Sequence, residues 1–446
     1  MKILQILVFF FFVGIKSQQG FQVVHHEKTV IPFQFINNLI FIPVNVNGVD
    51  LTFLLDTGVA ETILFSLDNK EVNFNELEKI KFSGLGEDVD IEGLKSVNNN
   101  VSIGKDFKDN SHLIYIILNE DINFSSHVGI PVNGIIGYHF FKNHPIEINY
   151  LSKKITVYSN EKAFSKKTKK FEEFPISLEL SKPYLNADIE MTSEKKPSKL
   201  LVDLGNSDAI WLFPSLIKDS VYNRPNIDDF LGRGFNGDIF GKRSRIHGLY
   251  LGKFEFKKPL TAMPDEYSIQ HLKLVKDRKG SIGSDILRRF TVIFNYPQNK
   301  IYLKKNKHFN DPFLFNKSGL DISHDGMMWD QDLVKVETKV KESGGVVAYE
   351  SQPNDFQYKF ILKPQYSISG CRKDSPCDIG GLKKDDKIIS IKGKKAGDLT
   401  LNQINTLLKD EEDGTFIEIE VERNAAKLKL GLYLEDPIPY QENKNQ

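Results

Sequence analysis

The chain has 446 residues, of which 40% are hydrophobic and 26% are charged, so it can bury substantial cores and its composition needs neither disorder nor a disulfide scaffold. Lysine plus arginine and aspartate plus glutamate each total 59, and a chain without net charge has no overall field that would favour nucleic acid or anionic lipid as a partner. This length predicts about three domains.

The N-terminal segment has the pattern of a secretory signal. Lys2 precedes a largely apolar stretch at residues 3–15, which ends at Lys16-Ser17 before polar residues. This order predicts a signal peptide over residues 1–17 and therefore an exported protein, periplasmic or extracellular. The stretch is shorter than the roughly 20 residues of a membrane span, so no stable span is expected after signal removal, and an uncleaved anchor is the alternative.

Two β lobes are expected after the signal. Short β-branched and aromatic runs, separated by Asn, Gly and Asp, predict a mostly β lobe at residues 28–160. The polar run 161–170 is interpreted as a solvated linker, and the β pattern then restarts and predicts a second lobe at 171–305. Short helices that cover the sheets are expected at 138–142 and 284–289.

The two lobes repeat one motif. Asp56-Thr57-Gly58 and Asp203-Leu204-Gly205 each follow an apolar, strand-like run. A second motif follows each aspartate at nearly the same distance along the chain, Gly134-Ile135-Ile136-Gly137 in the first lobe and Gly280-Ser281-Ile282-Gly283 in the second. Because the two spacings differ by only a single position, we interpret the repeat as an internal duplication of one lobe.

One carboxylate from each repeat is what an aspartic dyad requires. Within hydrogen-bond reach, Asp56 and Asp203 cannot both ionise cheaply, so one keeps a proton while the other stays charged. The charged member can take a proton from a shared water that attacks a peptide carbonyl, while the neutral member donates to the developing oxyanion. The pair predicts peptide hydrolysis without a metal or other cofactor, and Gly58 and Gly205 leave room for water and backbone.

Other chemistries find no support in the sequence. The ten histidines show no zinc-ligand spacing, and there is no Gly-Xaa-Ser-Xaa-Gly or phosphate-loop motif. Metal, serine and nucleotide chemistry are therefore disfavoured.

Glycine-bearing segments at matching offsets are candidate flap tips. Gly84-Leu85-Gly86 follows Asp56 at nearly the same spacing at which Gly232-Arg233-Gly234 follows Asp203. Hairpin ends at these positions could close over an extended peptide and exclude water, whereas ordinary surface turns are the alternative interpretation.

A third module is expected at the C-terminal end. Residues 306–354 are interpreted as a connector with some strand content, and 355–438 contain Ser375-Pro376, Gly381-Leu382 and Asp386 before an apolar strand, a helix and two closing strands. This order resembles a PDZ domain, from which it departs at Asp385, where a glycine is usual. The resemblance implies an α+β module that captures a peptide by strand addition. The expected groove residues are Phe360, Ile361 and Leu362 on a strand and Leu401, Ile404 and Leu408 on the helix.

The only two cysteines, Cys371 and Cys377, also lie in this module. An oxidising compartment would allow a disulfide between them. Cys377 falls where a small buried residue is expected, however, so two free thiols are the favoured expectation.

Taken together, these motifs resemble the exported bacterial retropepsin-like aspartyl proteases with two lobes and a C-terminal PDZ domain. The resemblance implies a mostly β protein with two pseudo-twofold-related acid-protease lobes, a PDZ-like domain and polypeptide substrates. It also implies that Thr57 hydrogen-bonds across to the partner loop. The residues implied to support the active-site loops from below are Ile135, Ile136, Gly137, Ile282 and Gly283.

The second lobe departs from the family pattern. Leu204 has no hydroxyl, so only Thr57 can make its half of the cross-lobe bond, and Ser281 replaces an apolar residue of the supporting element. Two alternatives therefore stand beside the single-chain peptidase. One is a non-catalytic peptide-binding scaffold, and the other is a homodimer in which Asp56 meets its own copy.

Overall fold

The computed structural model describes residues 20–82, 91–117, 123–192, 194–214, 225–234, 237–269, 274–335, 342–343, 346–347 and 356–439. The predicted signal peptide and the flap candidates Gly84, Leu85 and Gly86 lie outside these residues. The described chain is mostly β and forms two mixed sheets, a sheet that joins them and a further sheet near the C-terminal end. Its described helices are all too short or too polar to cross a membrane.

The first-lobe sheet combines antiparallel hairpins with parallel pairs. Asn47 and Gly48 form the turn between two largely buried strands, and they have positive φ values of 49° and 94°, as a tight hairpin turn requires. The described strands of this sheet are Gln22–Val23, Gln34–Ile36, Leu39–Val46, Val49–Leu55, Thr62–Leu64, Leu77–Phe82, Ile91–Ile103, Phe107–Ile116 and Gly134–Ile136.

The second-lobe sheet repeats the order of the first around its aspartate. In both sheets the strand before the aspartate pairs in parallel with the strand before the later glycine motif, Phe53–Leu55 with Gly134–Ile136 and Leu200–Val202 with Gly280–Ile282. This shared order is the structural form of the duplication. The described strands are Ser177–Glu179, Lys182–Glu190, Lys195–Val202, Ile210–Leu212, Asn226–Gly234, Gly237–Arg245, Gly248–Leu251, Phe254–Lys257, Leu260–Pro264 and Arg278–Ile282.

A joining sheet connects the two lobes through backbone hydrogen bonds. At its centre Ile146–Asn149 pairs antiparallel with Phe290–Asn295, so that Ile146 lies opposite Phe294. The sequence assigned these two strands to separate lobes, whereas the structure places them side by side. The strands of this sheet, in chain order, are Lys28–Pro32, Ile146–Asn149, Lys154–Tyr158, Glu172–Pro175, Phe290–Asn295 and Lys300–Lys305.

Helices are short and cover the sheets. The two helices expected after the glycine motifs are confirmed at Tyr138–Phe141 and Ser284–Leu287. The expected linker 161–170 is instead largely an α-helix, Glu161–Thr168, because the Asn160 side chain caps it by accepting from the Ala163 N–H and Phe164 packs against aromatic residues of the joining sheet. The remaining described helices are Ser125–Val128, Glu266–Ile269, Pro376–Ile379 and Leu401–Asp410, with 3-10 turns at Tyr296–Gln298 and Ala396–Asp398.

The C-terminal sheet begins earlier than the expected boundary at residue 355. Leu320–Lys335, within the expected connector, pairs antiparallel with Phe356–Cys371 along its length. The buried side chains of Leu320 and Ile322 belong to the same core as the helix Leu401–Asp410, which Thr400 and Gln403 begin with a capping box. The sheet consists of Leu320–Lys335, Phe356–Cys371, Lys387–Ile391, Lys394–Lys395, Phe416–Arg423 and Ala426–Tyr433, and Glu342–Ser343 pairs separately with Val346–Val347.

Two expectations about this module are wrong. Leu401, Ile404 and Leu408 are 1%, 0% and 0% exposed, so they form its core and do not line a groove beside Phe360, Ile361 and Leu362. These three strand residues lie far along the hairpin, opposite Gln331, Asp330 and Trp329, and Phe360 is 62% exposed. Cys371 and Cys377 form a disulfide, contrary to the preference for free thiols.

Candidate active site

Asp56 and Asp203 occupy equivalent positions, each directly after a strand of its sheet. The Asp56 N–H donates to the Ile136 carbonyl at 3.0 Å, and the Asp203 N–H donates to the Ile282 carbonyl at 2.9 Å. The glycine after each of these isoleucines lies directly under the aspartate loop. A Cβ on Gly137 would lie 1.9 Å from the Val59 carbonyl oxygen. The glycine motif therefore supports the aspartate loop from below, and this position must be glycine.

The same close packing occurs in the second lobe. A Cβ on Gly283 would lie 2.2 Å from the carbonyl oxygen of Asp208, which ends the second aspartate loop. Ser281, which departs from the apolar pattern, accepts a hydrogen bond from the Asn206 side chain at 3.1 Å. A polar pair thus holds the second loop at a position that is apolar in the first.

The two aspartate side chains meet between the lobes, where Gly58 lies against a carboxylate oxygen of each. Each carboxylate is also held by its own loop, because Asp56 Oδ1 accepts from the Gly58 N–H at 2.6 Å and Asp203 Oδ1 accepts from the Gly205 N–H at 3.1 Å. A Cβ on Gly205 would lie 2.3 Å from Asp56 Cγ, and one on Gly58 would lie 2.9 Å from Asp203 Oδ1. Both glycines therefore make the approach of the carboxylates possible.

Thr57 connects the two loops although its counterpart cannot. Its hydroxyl donates to the Val202 carbonyl at 2.6 Å and accepts from the Leu204 N–H at 3.0 Å. Thr57 is 1% exposed, so these bonds are shielded from water. The Leu204 side chain packs in the main core instead, and its carbonyl accepts from the Ser284 hydroxyl at 3.1 Å within the second lobe.

The protonation of the pair is asymmetric. Burial, reinforced by the negative charge of Asp203, raises the pKa of Asp56 to about 8. Burial also raises the pKa of Asp203, but Arg278, the hydrogen bond with Asp56 and the cation of Lys182 act against this rise. When the pair holds one proton, Asp56 is therefore the member that keeps it and Asp203 the member that carries the charge.

The sequence did not predict that two cations, Lys182 and Arg278, would lie next to Asp203. In the antiparallel hairpin Tyr184 lies opposite Leu201. Lys182, two residues earlier, therefore lies level with Asp203, two residues later. The Arg278 guanidinium lies over the Phe213 ring at 5.0 Å, and its Nε donates to the Gly280 carbonyl at 3.2 Å. Burial lowers the pKa of both cations, and the charge of Asp203 acts to raise them. Each is the first residue of its strand, and the sequence carried no signal that either would lie beside Asp203.

Tyr296 is a further group that the sequence did not assign to the site. It is buried beneath the lobes, and its hydroxyl has no hydrogen-bond partner within the described chain. Burial raises its pKa well above the ordinary value, and the charges of Asp56 and Asp203 act in the same direction. Its phenol is therefore neutral next to the dyad.

Asp208 ties the second aspartate loop to a hairpin. It accepts from Arg243 Nη1 at 2.7 Å and from Trp211 Nε1 at 2.7 Å, and Arg243 Nε donates to Asp229 at 2.5 Å. Arg243 is only 8% exposed, so Asp208 is a partner in a buried ion-pair network and not a solvated charge.

The second pair of flap candidates lies on this same hairpin, which Asn226–Gly234 and Gly237–Arg245 form. Gly232 has a φ of 143° at a register shift of the hairpin, a conformation that favours glycine, and Gly234 lies at its end. The hairpin is thus anchored at its base and carries its glycines toward the tip.

The described part of the chain contains no cluster of metal-ligating side chains. Within it, no three His, Cys, Asp or Glu side chains are placed together to hold a metal ion.

No protein-family model matches the sequence, and no curated protein matches it either. Among solved structures, the chain is similar to an aspartic proteinase from Irpex lacteus, with 12% identity and a TM-score of 0.44 over 64% of this chain and 99% of the other. A likeness of this size carries no argument about function, which must come from the geometry of the site.

Proposed function

We propose that the protein is an aspartic-type endopeptidase that hydrolyses peptide bonds with Asp56 and Asp203. The observation that carries the proposal is the approach of two carboxylates from equivalent loops, Asp56 buried and Asp203 partly buried, on either side of Gly58. Such a pair holds an acid and a base at the same point, which hydrolysis by an activated water requires.

The proposed reaction begins with a water bound between the carboxylates. The charged Asp203 takes a proton from this water, whose oxygen attacks the peptide carbonyl carbon, while Asp56 donates its proton to the carbonyl oxygen. The resulting tetrahedral diol collapses when its hydroxyl proton returns to a carboxylate and the nitrogen receives a proton, which breaks the C–N bond. The products are a carboxylic acid and an amine, and the dyad ends with one proton, as it began.

A single chain is sufficient for this mechanism. Asp203 supplies the second carboxylate, so the alternative homodimer, in which two copies of Asp56 meet, is not needed. The scaffold alternative drew its support from Leu204, but Thr57 alone serves the backbone groups of both Val202 and Leu204. This support for a degenerate site is therefore weakened.

For the C-terminal module we propose a PDZ-like role in recruiting polypeptide. Its sheet ends at the strand Leu320–Lys335, which contacts the helix Leu401–Asp410 and the first-lobe helix Ser125–Val128, and the part of an end strand that remains uncovered offers backbone groups for strand addition. We further propose that the protein is exported, and the disulfide between Cys371 and Cys377 supports an oxidising compartment.

A peptide library tests the catalytic proposal. The purified protein is incubated with the library from mild acid to neutral pH, alongside Asp56→Asn, Asp203→Asn and the control Asp265→Asn, which changes an exposed carboxylate of the second lobe. We expect cleavage by the parent and the control and its loss in both dyad variants. Cleavage that survives in Asp203→Asn would support the homodimer, and tight binding without turnover by the parent would support the scaffold.

A further inference from the structure

The two lobes differ in charge at equivalent positions beside the dyad. The hairpin turns Asn37-Asn38 and Leu180-Ser181 have nearly the same backbone angles, with φ values of 48° and 62° in the first and 49° and 62° in the second. Each turn precedes the strand that pairs with the aspartate strand. The residue after the turn is Leu39 in the first lobe and Lys182 in the second.

The same alignment holds at two further positions. Phe41 lies opposite Leu54, two residues before Asp56, and Tyr184 lies opposite Leu201, two residues before Asp203. Aligned on the glycine motifs, Arg278 corresponds to Val132, since each lies two residues before the first glycine. In the first lobe these positions contribute to an apolar cluster, whereas in the second they are a lysine, a tyrosine and an arginine.

Lys182 and Arg278 have no ion pair with a carboxylate of the described chain outside the dyad. Lys182 is half-buried, and its side chain makes no hydrogen bond or ion pair with the rest of the described chain. The Arg278 Nε donates to the Gly280 carbonyl and its guanidinium lies over the Phe213 ring, and neither of these groups carries a charge. With one proton on the dyad, Asp203 supplies one negative charge against two positive charges. Partial burial of an uncompensated cation is unfavourable, and a ligand anion would relieve it.

We propose that Lys182 and Arg278 form a subsite for a carboxylate side chain of the substrate. The preferred substrates are then polypeptides with Asp or Glu on the second-lobe side of the scissile bond and an apolar residue on the first-lobe side, near Leu39. This inference rests on the proposed binding of a peptide beside Asp56 and Asp203. Charge-assisted hydrogen bonds of this kind are stronger than neutral ones, so we expect about tenfold discrimination between Glu and its neutral analogue Gln.

The test uses matched fluorescent peptides of apolar sequence that differ only in a Glu, Gln or Lys at one position. That position is moved along the peptide from one set to the next. Cleavage is measured as kcat/KM in the parent, and binding is measured by anisotropy in Asp56→Asn, which keeps both cations and does not consume the peptide. Lys182→Leu copies the first lobe, Lys182→Glu reverses the charge, and Lys253→Gln removes a surface cation that pairs with Glu172 as the control.

We expect the parent to cleave the Glu peptide in preference to the Gln peptide and Lys182→Leu to lose this preference. Lys182→Glu should favour the Lys peptide, and Lys253→Gln should keep the preference of the parent. Cleavage with equal rates for Glu and Gln, or a preference that survives in Lys182→Leu, would overturn the subsite and leave the peptidase proposal standing. A shift of the pH profile alone, without any change in the Glu-to-Gln ratio, would also overturn it. Lys182-dependent binding of the Glu peptide without any cleavage by the parent would support the subsite and reject the peptidase.

Discussion

Replacement of Thr57 by valine tests whether one hydroxyl holds the two aspartate loops together. Valine keeps the shape of threonine but exchanges the hydroxyl for a methyl group. The Val202 carbonyl and the Leu204 N–H would then lose partners at 2.6 and 3.0 Å in a buried site. An unsatisfied buried polar group costs ~1–3 kcal/mol, and the added methyl returns ~0.8 kcal/mol, so the free energy of unfolding should fall by about 3 kcal/mol.

Two measurements follow this loss. Urea denaturation reports the change in the free energy of unfolding, and hydrogen exchange of the Leu204 amide reports the local effect, which should be about a hundredfold faster at this energy. Thr57→Ser keeps the hydroxyl and should recover most of both. The matched control is Thr52→Val on the strand that precedes Thr57. The Thr52 hydroxyl makes no hydrogen bond with the described chain, so this variant should change stability by less than ~0.5 kcal/mol. A Thr57→Val loss no larger than that of this control would refute the reasoning.

Three other variants have definite expectations. Because the pKa of Asp56 is about 8 in the folded protein and near 3.8 when unfolded, its protonated form stabilises the fold fully below about pH 4, and this contribution is lost as the pH rises to 8. Asp56→Asn should therefore gain stability over the parent by ~1.4 kcal/mol per pH unit at most across this range. A stability difference that urea denaturation finds constant with pH would contradict this prediction. Gly205→Ala should abolish peptide cleavage while circular dichroism stays that of the parent, because its Cβ would lie 2.3 Å from Asp56 Cγ, and full activity would contradict this contact. Arg243→Met should lower the free energy of unfolding by ~3–5 kcal/mol, since it leaves Asp208 and Asp229 without their shared buried cation, and a neutral effect in denaturation would show that the network contributes nothing.

The internal repeat predicted equivalent positions for Asp56 and Asp203 above their glycine motifs because the duplication repeats both spacing and residue type. Asp56, Asp203, Gly137 and Gly283 all lie where the matching offsets imply, since tight loops leave few alternatives to Asp and Gly there. Strand pairing between the lobes was not predictable in the same way. Alternation identifies a strand such as Ile146–Asn149, but it does not identify the partner strand, which here belongs to the other lobe.

Other features were hidden by local composition. A single buried residue, Phe164, and the cap at Asn160 make a helix of a run that is otherwise polar. The strand Leu320–Lys335 has only a short apolar start, so its membership in the C-terminal sheet depends on long-range pairing. Lys182 and Arg278 gain their importance from proximity to Asp203, which only the folded chain shows.

The shared proton of Asp56 and Asp203 is measured most directly by 13C NMR of the aspartate side-chain carboxyls between pH 3 and 9, in the parent, Asp56→Asn and Asp203→Asn. One carboxyl that titrates near pH 8, absent from Asp56→Asn and shifted to lower pH in Asp203→Asn, is the predicted result. Titration of both carboxyls near pH 4, unaffected by replacement of the partner, would contradict the dyad and with it the proposed hydrolysis.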